Sequence, residues 1–224
     1  FRNKSAKLYE LGRTYFAKHD GSGMADEPKV LSLGAYGVDM DFFALKGAVE
    51  AVLAGLRIPS VRFAAEKENP SYHPGRCAKV YSGSTLLGVL GQIHPHVAAN
   101  YGVDCPLYAA ELAFGALYRS MGPLPVYQPL PKFPAVARDI AVVCGKDVPV
   151  GELADCIRRG AKGLLKDVAL FDIYTGPGIP GDKKSVAFNL TLRSDERSLT
   201  AAEADEDVKS ILALLQTELG ATLR

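Results

Sequence analysis

Apolar positions in the first half of the chain alternate between a spacing of two and a spacing of three to four. Leu8–Phe16 and Val30–Tyr36 read as strands, separated by a Gly- and Asp-rich loop over His19–Pro28. Asp41 then stands as a plausible N-cap before DFFALKGAVEAVLAGL. In that segment Phe42, Leu45, Val49, Val52, Leu53 and Leu56 fall on one helical stripe. Two short strands follow, Cys77–Tyr81 and Leu86–Gly91, joined by the turn Ser82-Gly83-Ser84. A short helix after His94-Pro95 and a strand over Leu107–Leu112 close this half.

The second half has a more regular rhythm. Strands are predicted at Arg138–Cys144, Leu165–Tyr174 and Ser185–Arg193, with a helix over Val148–Lys162 and a Gly/Pro-rich loop, TGPGIPGDK, between the last two strands. Thr200-Ala-Ala-Glu203 has the spacing of a capping box, in which hydroxyl and carboxylate each satisfy a backbone donor. It opens a helix to about Leu219, with Gly220 as a left-handed stop and Ala221–Arg224 left for an edge strand. The order β-α-β-β-α-β is that of a ferredoxin-like split βαβ unit.

Between these halves lies MGPLPVYQPLPKFP, with prolines at 123, 125, 129, 131 and 134. Prolines at this density fix φ and favour an extended path. The expected division is a domain over residues 1–120, a linker over 121–131 and a second domain over 132–224.

Strand alternation sorts the second domain into two faces. Ile140, Val142 and Cys144 point one way, and so does the apolar row Val186, Phe188, Leu190, Leu192. In the middle strand Ala169, Phe171 and Ile173 form one set, and Leu170, Asp172 and Tyr174 the other. Both helices of such a fold cover one face, so the apolar rows belong beneath them. The open face then carries Ala141, Asp172, Tyr174, Ser185, Asn189 and Arg193, with Arg138 close by. A flat ring beside small and polar groups suits an unpaired base, which stacks while its edge is read by hydrogen bonds. The plain alternative is the wet face of an antiparallel sheet.

Composition and charge narrow the picture. A net charge of +1 gives no bulk attraction to polyanions, so any nucleic-acid site depends on local placement of Arg and Lys. Lys183 and Lys184 beside the sheet are candidates for neutralising phosphates. No apolar run is long enough to span a bilayer. The chain opens with FRNKSAKLYELG, without a Met or a signal-like apolar core, which is expected of a fragment of a longer protein. Cys77, Cys105, Cys144 and Cys156 lack paired spacing and sit in apolar surroundings, so buried free thiols in a reducing compartment are expected. His94-Pro95-His96 reads as a turn into a helix, not as a metal site. His73 has no evident nucleophile or carboxylate partner, and the glycines of TGPGIPG lack a following G-K-S/T.

Several stretches carry a family resemblance. FPAVARDIAVV (Phe133–Val143), LFDIYTGPGIPGDKKSVAFNLTLRS (Leu170–Ser194) and ERSLTAAEAD (Glu196–Asp205) resemble the ferredoxin-fold anticodon-binding domain of phenylalanyl-tRNA synthetase β subunits, bacterial type. LYELGRTYF, DFFALKGAVEAVL, NPSYHPGRCAKVY, LGVLGQIHP and YAAELAF are similar to the catalytic-like module of the same subunit. The resemblance implies an α+β chain: a class II synthetase-like antiparallel-sheet module followed by a ferredoxin-like βαββαβ domain. It implies a non-catalytic C-terminal part of a cytoplasmic α2β2 enzyme that joins phenylalanine to its tRNA using ATP. The partners would be the tRNA for phenylalanine and the α subunit, with neither membrane nor DNA. ATP and Mg would be bound elsewhere in the holoenzyme, with no cofactor here. The family's anticodon-reading positions fall on Ala141, Asp172, Tyr174 and Ser185. The family's upstream editing domain and magnesium-binding acidic cluster have no counterpart in these residues, so no hydrolytic site is expected. A ferredoxin-like module for a small effector or for assembly is the alternative, and a self-sufficient enzyme is the weakest of the three.

Overall fold

The structure is a computed structural model and describes residues 3–19, 21 and 23–224. It divides into two compact units, residues 1–126 and Tyr127–Arg224. The division falls inside the proline-rich segment, where residues 121–135 form neither helix nor strand. The start of that segment belongs to the first unit. The Gly122 amide donates to the Leu56 carbonyl (3.3 Å), and Arg57 Nε donates to the Pro123 carbonyl (2.9 Å).

The first unit is built on an antiparallel sheet. Its elements are β1 (Ala6–Arg13), β2 (Phe16–Ala17), β3 (Ala25–Asp26), β4 (Lys29–Tyr36), α1 (Phe42–Gly55), β5 (Val61–Ala65), β6 (Tyr72–Ser82), β7 (Thr85–Ile93), α2 (Pro95–Asn100), β8 (Leu107–Ala113) and α3 (Phe114–Ser120). Six strands pair in the order β1-β4-β8-β7-β6-β5, and β2 pairs with β3 separately. Asp41 caps α1 by accepting from the Ala44 amide at 2.7 Å. Leu45, Val49 and Leu53 of α1 then pack on Val80, Leu87, Leu90, Ala110 and Leu112 of the sheet, joined by Ala116 and Leu117 of α3.

The first predicted strand is broken: the pairing of β1 with β4 ends at Arg13, and Phe16 belongs to the small β2–β3 ribbon. Strand β6 begins at Tyr72, earlier than Cys77, with an irregularity between those two residues. β5 and α3 had no strong sequence signal.

The second unit follows the split βαβ order. Its elements are β9 (Val136–Gly145), α4 (Val150–Gly160), β10 (Leu165–Tyr174), β11 (Lys183–Leu192), α5 (Ala201–Leu219) and β12 (Thr222–Leu223). Four strands pair antiparallel in the order β10-β11-β9-β12. Thr200 and Glu203 form the full capping box of α5, and Gly220 ends it at φ 59°, a conformation that costs glycine nothing. Leu153, Cys156 and Ile157 of α4 and Ile211 and Leu215 of α5 pack on Ile140, Val142, Cys144, Val186, Phe188 and Leu190. Both helices therefore sit on one side of the sheet.

Candidate nucleic-acid interface

Residues directly opposite in antiparallel strands share a face. The side away from α4 and α5 is thus a grid of rows. One row runs Tyr174–Ser185–Val143–Thr222, and the next Asp172–Ala187–Ala141. The Arg224 amide donates to the Ala141 carbonyl (2.8 Å), which extends the second row to Arg224. A third row holds Ala169, Asn189 and Asp139.

Strict alternation fails twice in β10, between Leu165 and Asp167 and between Leu170 and Asp172. A register shift between Leu170 and Asp172 leaves Phe171 as an extra residue, 59% exposed. Leu170 therefore pairs with Phe188 and Ile173 with Val186 on the helix side, while Ala169, Asp172 and Tyr174 share the open side. The expected grouping of Ala169 with Ile173, and of Leu170 with Asp172, is corrected by that bulge. Asp172 and Tyr174 keep the open face.

Two of the expected cations are turned elsewhere. Arg138 has the parity of Ile140, and its Nε donates to Asp205 of α5 at 2.9 Å. Lys184 has the parity of Val186, and its Nζ donates to the carbonyls of Lys146 (2.9 Å) and Val148 (2.6 Å). It pins the turn between β9 and α4 and is not offered to a phosphate. Lys183 stands on the open side next to Ser185 and makes no ion pair among the described residues. Arg193 lies just past β11, 3.3 Å from Asp195. Asn189 donates to Asp139 at 2.7 Å, so one of its amide protons is engaged within the face.

The centre of the face is small and tightly covered. Ser185 is 3% exposed and Ala187 8%, although no helix lies on this side. The Tyr174 ring is held against its own loop: its hydroxyl donates to the Pro177 carbonyl (3.3 Å), and a Cβ at residue 176 would lie 2.5 Å from that hydroxyl. Only glycine at 176 leaves room for the ring. Over the ring stands the Arg224 guanidinium, 5.3 Å from its centroid. Arg224 was missed by the sequence reading. The signal was present, since alternation in the predicted last strand puts Arg224 on the same face as Thr222.

Elsewhere the histidines do local work. His94 Nδ1 accepts from the His96 amide (3.2 Å) at the start of α2, and His73 Nδ1 accepts from the Gly75 amide (3.0 Å). Among the described residues no group of three or more His, Cys, Asp or Glu is placed to hold a metal ion. No helix of the described residues is long and apolar enough to cross a membrane. The first unit exposes apolar residues along β1 and just after it: Leu8, Tyr9, Leu11, Tyr15 and Phe16.

Comparison with known proteins gives this geometry a context. Residues 131–224 match the ferredoxin-fold anticodon binding domain, which defines the class of the second unit. Residues 1–114 match the family described as the phenylalanyl tRNA synthetase beta chain CLM domain, so the chain belongs to the phenylalanyl-tRNA synthetase beta chain family. The phenylalanine–tRNA ligase beta subunit of Clostridium tetani is 39% identical over 222 residues, which are 99% of this chain and 28% of that protein. The same subunit of Clostridium acetobutylicum is 37% identical over the same shares. A third, from Symbiobacterium thermophilum, is 37% identical over 97% of this chain and 25% of its own length. The chain thus spans about a quarter of the length of the relatives it matches.

Proposed function

We propose that the second unit binds the anticodon region of the tRNA for phenylalanine, within a cytoplasmic phenylalanine–tRNA ligase whose ATP-dependent chemistry is carried by other parts of the enzyme. The observation that carries this reading is the open sheet face of a ferredoxin-fold anticodon-binding domain, where Tyr174, Asp172 and small residues share two adjacent rows. A splayed base would stack on the ring, and the Asp172 carboxylate would accept from donors on its edge. Ala141 and Ala187 leave the height that such a base needs. Ser185, paired with Tyr174 across the strands, would form part of the floor of the same platform. Lys183 is the cation best placed to meet the phosphate backbone, and Arg193 the next.

The first unit would dock a partner subunit, since its relatives are named as beta subunits and β1 exposes an apolar surface. Such patches on a soluble unit mark interaction sites. An α subunit in an α2β2 assembly is the occupant this reading names.

The test is titration of the chain with an RNA hairpin carrying that anticodon stem and loop. Tyr174→Ala should weaken binding by about 1–3 kcal/mol, the value of one base–aromatic stack. Binding unaffected by the substitution would favour a small-effector or assembly role for the unit.

A further inference from the structure

Helices α1 and α5 stop in the same backbone conformation but with different residues. Gly220 ends α5 at φ 59°, whereas Arg57 follows α1 at φ 56°. Among the described residues only Arg57 and Ser60 combine a side chain with left-handed φ, and both lie in the loop between α1 and β5. The Arg57 amide donates to the Ala54 carbonyl (2.9 Å) and the Ile58 amide to that of Leu53 (3.0 Å). These are the paired bonds of a Schellman stop, and Arg57 occupies the position that glycine fills without strain. The stop itself asks nothing of a side chain there.

The guanidinium does something else. Arg57 Nε donates to the Pro123 carbonyl at 2.9 Å and, at 3.4 Å, to that of Gly122, at the start of the proline-rich segment. The main chain completes the hold: the Gly122 amide donates to the Leu56 carbonyl (3.3 Å). A Cβ at residue 122 would lie 2.2 Å from the Arg57 carbonyl oxygen, so only glycine permits this approach. The loop is tied down in turn to the β6–β7 hairpin. The Gly83 amide donates to the Ser60 carbonyl (3.1 Å), and Ser82 Oγ to the Pro59 carbonyl (2.8 Å). Beyond Pro123 the segment turns outward, with Leu124, Val126, Tyr127 and Leu130 all exposed.

We propose that Arg57 is a positioning residue that sets where the tether between the two units begins. With the clasp closed, the tether starts at Leu124. With it open, the chain is released from Met121, directly after α3 ends at Ser120. The three residues gained amount to about 9 Å of extended polyproline path. A strained residue at a helix stop is thus retained for what its side chain holds, 65 residues further along the chain.

Hydrogen exchange of the full chain, read at the Gly122 amide, is compared for the parent, Arg57→Gly and Gly122→Ala, with thermal melts alongside. Arg57→Gly relieves the left-handed strain while deleting the guanidinium. Its melt should stay close to that of the parent, and exchange at residue 122 should quicken about tenfold. Gly122→Ala opens the clasp from the other side and should quicken exchange at the same amide, leaving α4 and α5 as they are. Unchanged exchange in either variant would reduce Arg57 to a strained helix stop and overturn the clasp. Faster exchange spread over α1 and its sheet, with a lowered melt, would make Arg57 a residue of general stability and overturn it too.

Discussion

Asp172 lies directly opposite Ala187, and it does so because Phe171 is bulged out of the β10 ladder. Without that extra residue, Val168 and Leu170 could not share the helix side while Asp172 and Tyr174 share the other; the separate irregularity at Lys166 brings Leu165 to the helix side as well. The bulge reconciles a packed core with a polar face along one edge strand.

The side chain of Phe171 is therefore less important than its presence. Phe171→Ser should change stability by about 0.5 kcal/mol or less, as at other exposed positions. Leu190→Ala, at a fully buried position of β11, should cost about 2–5 kcal/mol. Denaturant titration of both variants checks the contrast. Deleting Phe171 should be far worse than substituting it, because the residues from Asp167 to Leu170, between the two irregularities, would change face.

Lys183 and Lys184 are adjacent and should behave oppositely. Lys184→Ala removes two hydrogen bonds that fix the β9–α4 turn, and should lower stability by about 1–3 kcal/mol. It should leave the salt dependence of RNA binding as it is. Lys183→Ala should preserve stability and reduce the slope of log affinity against log salt by about one. Paired melts and titrations at several salt concentrations separate the two.

Acid should loosen the start of α5 in a defined window. The Arg197 guanidinium, then the Thr200 amide and hydroxyl, hold the Glu203 carboxyl down at about 2, against an ordinary 4.5. A lowered folded-state value means that the stabilisation is complete above about pH 4.5 and disappears as pH falls toward about 2. Glu203→Gln should remove that part of the pH dependence while retaining a side-chain acceptor for the cap. Denaturation midpoints measured across the window report it.

The four cysteines are free, but they are not equivalent. Burial raises the thiols of Cys144 and Cys156, and raises Cys77, with Glu66 contributing, to about 11. Cys105 is exposed, against the expectation that all four are buried. A thiol reagent under native conditions should label Cys105 first and the other three only on unfolding, as mass spectrometry would show.

What the sequence revealed follows from how local each signal is. The α5 boundaries were legible because Thr200, Glu203 and Gly220 act within a turn of the helix ends they cap. The α1 stripe was legible for the same reason. The β5 strand, VRFAA, was not, since it is short and three of its five residues are alanine or arginine. The α3 helix was not, because its N-cap position, Ala113, offers no side-chain cap. At the site, Ala141, Asp172, Tyr174 and Ser185 were placed by alternation and family likeness together, and the alternation survived the Phe171 bulge only by counting from the loop side. Arg138 and Lys184 share the parity of Ile140 and Val186, so alternation already set them on the helix side; which distant carboxylate or carbonyl captures each long side chain was not legible. Arg224 was overlooked because its partner ring is three strands away.

The central claim is that RNA meets the sheet face bearing Tyr174, opposite the helices. Photocrosslinking of the chain to an anticodon hairpin with a thiouridine-substituted loop, followed by peptide mass spectrometry, reads this directly. The account predicts crosslinks to β10, to the start of β11 and to the segment ending in Arg224. Crosslinks concentrated on α4 and α5 would contradict it.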